Sequence, residues 1–196
     1  MTLHLDPMNT NLEDATIEHI DFTEQDLSKR EYINCTFINC NFTKCNLKDT
    51  DLIDCTFTGC NFSQAIINNT GMKGVAFSSC KLMGIQFSLC SDFLFSVSFN
   101  DCLLDYTSFF QKKMKKTSFN NSSIKEADFE ETDLSEAIFT NCDLLHTAFN
   151  RTILEKADLR TSYHYSLDPE QNRIKKAKFS SQGIAGLLAK YNIEIE

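Results

Sequence analysis

The sequence predicts an all-β solenoid, a rod built from short extended segments joined by turns. One observation is a large apolar residue at every fifth position. From Leu12 the series runs through Ile17, Phe22, Leu27, Tyr32, Phe37 and Phe42 to Phe87, then resumes from Phe99 to Leu159. Another is a second series two residues earlier that takes small or medium side chains, and all nine cysteines fall on it. A period of five fits neither a helix, which repeats near 3.6, nor a strand, which repeats at two. A five-residue unit can bury two positions and expose three if it is a short strand followed by a bend. Several such units close one coil, and coils stack at about 4.8 Å, the interstrand spacing.

The unit itself is a small residue, Asp or Asn, Leu or Phe, then two polar residues. Cys40-Asn41-Phe42, Thr50-Asp51-Leu52, Cys60-Asn61-Phe62, Ala127-Asp128-Phe129, Thr132-Asp133-Leu134 and Ala157-Asp158-Leu159 match it well. Over residues 10–162 this resembles the pentapeptide-repeat family. The resemblance implies a right-handed, four-sided β-helix with four units, or twenty residues, per coil.

Twenty-residue spacing places like residues in columns. Phe37, Phe57 and Phe77 share one, and Phe42 and Phe62 share the next with Phe22. Further along, Phe99, Phe119 and Phe139 align, as do Phe109, Phe129 and Phe149. These phenylalanines are the expected core. Stacked strands favour ladders of identical side chains. Seven or so coils give a rod on the order of 35 Å long.

The beat slips once, because Phe87 to Phe99 is two units plus two residues. The slip lies in Cys90-Ser91-Asp92-Phe93-Leu94-Phe95-Ser96. A bulge tolerated by the stack and a projecting recognition loop both fit it.

Composition agrees with one elongated domain: no Trp, two Pro, six Gly and no low-complexity linker. No stretch approaches the eighteen or so apolar residues of a membrane span. The start of the chain lacks the basic and apolar regions of a secretory signal. Residues 1–10 are expected to form a leader or partial coil, 11–165 the β-helix and 166–196 a cap and dimerisation tail. The five-residue cysteine spacing is wrong for paired metal ligands. Free cysteine serves as a small buried hydrophobe, so the nine thiols are expected to be reduced, as in a cytoplasm.

No Asp or Glu stands on either inward series over 12–87 or 97–159. The acids of the coils therefore point outward. Residues 1–60 carry eleven acids against four bases. Asp49, Asp51 and Asp54 form one candidate binding group. Glu126, Asp128, Glu130, Glu131, Asp133 and Glu136 form another. Lys112, Lys113, Lys115 and Lys116 read as one basic patch. An acidic stack repels nucleic acid and attracts proteins that bind it. His4, His19, His146 and His164 join no acid and nucleophile, and no phosphate-cradling Gly loop exists. A coil filled by its own side chains leaves no pocket, so neither catalysis nor a cofactor is expected.

Beyond Leu159 the chain reads as a basic-apolar stretch after Ser166-Leu167-Asp168-Pro169. A short helix over 182–191, capped by Ser180 or Ser181, and an edge strand over 192–196 follow. This tail resembles that of the Qnr-type quinolone-resistance proteins. That resemblance implies a homodimer through the C-terminal ends and an acidic, DNA-like rod that binds gyrase or topoisomerase IV. Ile174, Phe179, Ile184, Leu187, Leu188, Tyr191, Ile193 and Ile195 are the expected dimer contacts. Qnr-type proteins of Gram-negative origin carry longer projecting loops, whereas this sequence has at most a two-residue slip. A scaffold or regulatory rod with an unrelated protein partner is the alternative function.

Overall fold

A computed structural model describes residues 11–194 of the 196-residue chain. The expected leader, 1–10, lies outside the described residues, as does Ile195. The chain winds as a right-handed, four-sided parallel β-solenoid. On the first side, Asn11–Glu13, Glu31–Ile33, Asp51–Ile53 and Gly71–Lys73 stack in parallel, with Leu12, Tyr32, Leu52 and Met72 in register. On the second, seven strands run from Thr16–Glu18 to Ile138–Thr140 and align Phe37, Phe57, Phe77, Phe99, Phe119 and Phe139. The third and fourth sides are held by single parallel bridges such as Asn41 to Asn61 and Asn46 to Ile66.

Each element of the repeat has a local cause. The inward Leu or Phe is buried in one continuous core. Rings twenty residues apart lie face to face: 4.8 Å between Phe37 and Phe57, 4.7 Å between Phe42 and Phe62, 4.6 Å between Phe119 and Phe139. Each such side chain contributes about 1.5–3 kcal/mol before entropy is subtracted. The preceding Asp or Asn folds onto its own backbone. The carboxylate of Asp21 accepts the Thr23 N–H at 3.0 Å, and the Asn61 side chain accepts that of Ser63 at 3.0 Å. This side-chain turn explains why Asp and Asn fill that position. The bend itself is a residue at positive φ, as at Asp14, Asn34 and Asp54 on one corner, with Gly74 beside them.

The small inward position has a hydrogen-bonding role as well as a size limit. The Thr50 hydroxyl donates to the Leu27 carbonyl at 2.8 Å, and that of Thr70 to Leu47 at 2.7 Å. The thiols make the same bond: Cys35 to Leu12 at 3.4 Å, Cys55 to Tyr32 at 3.2 Å and Cys142 to Phe119 at 3.4 Å. All nine cysteines are free and buried. Burial pushes the thiols of Cys45 and Cys90 up to about 12 and those of Cys55 and Cys142 up to about 11.

The stack absorbs the slip at 90–96. The rings of Phe77 and Phe99 still stack at 5.5 Å across it. Backbone pairing continues past Leu159: Leu154 N–H donates to Arg173 and Leu159 N–H to Lys178, both at 2.9 Å. The end of the rod departs from expectation. Over 182–191 there is no α-helix but two 3-10 turns, Ile184–Leu187 and Ala189–Tyr191. The Ser180 hydroxyl does accept the Gly183 N–H at 3.0 Å. Gly183 and Gly186 disfavour a longer helix, and Gly186 lies against the Tyr165 backbone, where any side chain would collide. Residues 192–194 form no strand, so the expected edge strand is absent from the described residues.

Candidate functional site

With four sides defined, the candidate acids can be placed. Asp49 stands at the corner before the first side, at positive φ, and its carboxylate accepts from Asn69 at 2.8 Å. Asp51 and Asp54 lie on that side, over Gly71 and Gly74, where a larger residue would collide with their carboxylates. Neither is in an ion pair among the described residues. Asp51 and Asp54 therefore share one side, with Asp49 around the adjoining corner.

The second set is dispersed around three sides of its coil. Glu126 stands at the corner that closes the third side, Asp128, Glu130 and Glu131 belong to the fourth side and its corner, and Asp133 and Glu136 belong to the first. Several are already engaged. Asp128 accepts the Glu130 N–H at 2.8 Å and the Ser108 hydroxyl at 3.0 Å. Asp133 accepts the Ser135 N–H at 2.9 Å. Gln111 donates to Glu131 at 2.7 Å, and with Arg151 beside it this holds the carboxyl below its ordinary range. Glu136 lies 3.6 Å from Lys115 and 3.9 Å from Lys156. Glu130 takes a hydrogen bond from Asn150 at 2.7 Å.

The basic patch needs a correction. Lys113, Lys115 and Lys116 are exposed, but Lys112 is buried, with 2% of its side chain accessible. It occupies the small inward column of Thr50, Thr70, Cys90, Thr132 and Thr152. Its amine donates to the Cys90 carbonyl, pairs with Asp92 at 2.7 Å and sits 5.1 Å from the centre of the Phe95 ring. The residue was legible as inward, since it stands two places before Met114.

The slip itself is a projecting loop on the first side. Its ends are tied into the ladder: Ser91 N–H donates to Thr70 at 3.0 Å and Ser96 N–H to Met72 at 2.8 Å. Phe95 turns inward, while Phe93 and Leu94 are 79% and 55% exposed. Beside them a hollow of about 160 Å³ opens over Gly71, between Ile53 and Leu94.

The expected dimer contacts divide in two. Ile174, Phe179 and Leu187 pack partly against the core, and Phe179 lies 5.6 Å from the Tyr165 ring, so they close the end of the stack. Leu188 is half-buried, and Ile184, Tyr191 and Ile193 are exposed. The cap is fixed by Lys190, which reaches both Asp168 and Glu170 at 2.7 Å.

Among the described residues no three His, Cys, Asp or Glu side chains gather as metal ligands, and no helix is long and apolar enough to cross a membrane. The hollows described lie on the outside of the stack, as at Ile138, Thr140, Asp158 and Arg160.

These features define a repeat protein of the parallel β-solenoid class, with a rigid core and an outward surface of short polar columns. Residues 30–109 match the pentapeptide repeat region model, and residues 98–141 and 127–162 match the model of eight pentapeptide repeats. The chain belongs to the pentapeptide-repeat family. It is similar in fold to a trypsin-treated variant of QnrB1, a plasmid-mediated fluoroquinolone resistance protein. The identity there is 22%, covering 95% of this chain and 90% of that one, with a TM-score of 0.71. It is also similar to HetL, a pentapeptide-repeat protein involved in heterocyst differentiation regulation in the cyanobacterium Nostoc sp. strain PCC 7120. Identity to HetL is 17%, with 87% and 86% of the two chains covered and a TM-score of 0.65. No curated protein matches the sequence.

Proposed function

We propose that this chain is a non-catalytic protein-binding rod, and that the acidic N-terminal half of its first side is read by a basic partner, in the manner of a DNA mimic that engages bacterial type II topoisomerase. One observation carries the reading: Asp51 and Asp54 stand outward on a flat, rigid sheet and form no ion pair among the described residues, with Asp49 at the adjoining corner. Fixed carboxylates on a stiff surface cost little to order on binding. A basic groove built for phosphates would be drawn to them, and the attraction would fall with salt. Likeness in fold to QnrB1 agrees with this choice of partner.

The test is binding to purified gyrase at low salt, with supercoiling assayed in parallel. The expected result is a complex weakened by salt and by Asp49→Asn, Asp51→Asn and Asp54→Asn together, at unchanged melting temperature. Absence of binding at micromolar protein would reject the topoisomerase partner. The alternative, a regulatory scaffold with an unrelated partner, is favoured by an uncharged column on the second side, formed by Thr16, Thr36, Thr56, Ala76, Ser98 and Ser118.

A further inference from the structure

The first side is divided by sign. On the N-terminal side of the projecting loop its outward positions hold five acids (Glu13, Asp14, Glu31, Asp51 and Asp54) and one base, Lys73. On the C-terminal side they hold seven bases and three acids, Asp133, Glu136 and Glu155. The internal ion pairs sharpen the division, because all three of those acids are hydrogen-bonded or paired within the chain. Glu13, Glu31, Asp51 and Asp54 form no ion pair among the described residues, and neither do Lys113, Lys116, Lys175 and Lys176. At the boundary stand Phe93 and Leu94, exposed, with the hollow over Gly71 next to them.

We propose that this side is a self-complementary surface that binds a second copy of the chain, the two rods lying antiparallel with their loops at the two-fold axis. In a two-fold contact each patch meets its rotated image. An apolar centre then meets itself, and flanking patches must be of opposite sign. The first side has that arrangement. Phe93 of one copy can enter the hollow over Gly71 of the other, and reciprocally, and this register sets Asp51 and Asp54 of each copy opposite Lys113 and Lys116 of the other. An apolar centre with a charged rim is the usual anatomy of an interface.

The loop is held in shape for this contact. Lys112 ties its first half through Cys90 and Asp92 and covers Phe95. The exposed pair therefore projects from a fixed base, which lowers the ordering cost of association.

The inference does not rest on the identity of any other partner, since self-association is measured with nothing else present. It does bear on the proposed function: a second copy would cover Asp51 and Asp54. The tail contact expected from the sequence would instead join rods end to end. Two different two-fold contacts on one rod generate an open chain, so one of them has to be the dimer contact.

The experiment is a charge exchange on the full chain, read by light scattering and native mass spectrometry. One variant carries Asp51→Lys and Asp54→Lys, the other Lys113→Glu and Lys116→Glu. The unaltered chain should be a dimer that dissociates as salt rises. Each variant alone should be monomeric at that concentration, with a melting temperature near that of the unaltered chain. An equimolar mixture should recover a dimer of one copy of each. Phe93→Ser should weaken the unaltered dimer by about tenfold or more, as loss of a central anchor does. A monomeric unaltered chain, a dimer indifferent to both charge variants, or a mixture that stays monomeric would overturn the proposal. So would a dimer lost only on Ile184→Ser, Tyr191→Ser and Ile193→Ser, which would assign the contact to the tail.

Discussion

The amine of Lys112 stands where a backbone N–H closes the other coils at the same corner, and it donates to the carbonyl of Cys90. In those coils Thr50 accepts from Gly71, Thr70 from Ser91 and Lys112 itself from Asp133. The two-residue slip carries the backbone donor away from Cys90, and a long side chain supplies the proton instead. A buried ammonium is costly unless it is paired and hydrogen-bonded. Here it has a carbonyl, a carboxylate and an aromatic face.

Lys112→Ala should therefore destabilise the rod by about 1–3 kcal/mol, the cost of an unsatisfied buried acceptor. Chymotrypsin should then cut the chain at Phe93 or Leu94. Asp92→Asn should cost about 0–1 kcal/mol, because Asp92 is exposed and the carbonyl bond survives. Equal midpoints for the two variants in urea would contradict the assigned role.

The thiols predict an alkaline limit. Buried Cys45, Cys55, Cys90 and Cys142 keep their protons to about pH 11–12 in the folded rod. In the unfolded chain a thiol ionises near 8.5. Between these limits the folded state holds more protons, so stability falls as pH rises. It should be complete below about pH 8 and decline steadily above about 9 in urea titrations. Under native conditions at neutral pH all nine thiols should react slowly with a thiol reagent.

Cys55→Thr should be nearly neutral, within about 1 kcal/mol, because Thr50 and Thr70 make the same bond to a carbonyl. Cys55→Ala should cost more, since the Tyr32 carbonyl loses its donor. Thermal unfolding of the pair of variants decides the point.

Phe42→Ala should open a cavity between stacked rings and cost about 3–5 kcal/mol. Thr43→Ala is outward but not silent. Its hydroxyl accepts from Asn61 at 3.0 Å, and its N–H donates to Asn41 at 3.2 Å. Losing the hydroxyl should cost about 1 kcal/mol. Denaturant midpoints for the two should differ by the corresponding margin.

The cap has an acid limit. A hydrogen bond from Lys190 holds the Asp168 carboxyl below its ordinary value of 3.8. The group therefore adds stability above about pH 4, which is lost as pH falls through the lowered value. Carboxyl NMR should show Asp168 titrating below the ordinary range and returning towards it in Lys190→Gln.

Much of this molecule is legible along the chain. The inward series named Phe37, Phe57 and Phe77 as one column, and their rings stack in that order. The signal is strong because each coil repeats the same local problem: two side chains to bury and a bend to make. The end of the rod is less legible. A ten-residue helix over 182–191 satisfies apolar spacing, but the glycines that permit close approach to Tyr165 also limit it to 3-10 turns.

The facing of the acids is not legible along the chain. Glu126, Asp128, Glu130, Glu131, Asp133 and Glu136 are neighbours in sequence and face three directions in space. Lys112 and Lys113 are adjacent, yet one is core and the other surface, because alternate residues of an extended segment point opposite ways.

The sequence by itself determined which residues point inward, since burial depends on position within a five-residue unit and the unit is local. Only the tertiary structure decided which outward residues share a side. That depends on coil closure after twenty residues, which brings Asp51 over Gly71 and leaves Asp49 around a corner. The slip at 90–96 adds two residues without breaking the columns, because Lys112 holds the loop while Phe99 returns to the register of Phe77. The division of the first side into an acidic and a basic half exists only once that closure has set the columns side by side.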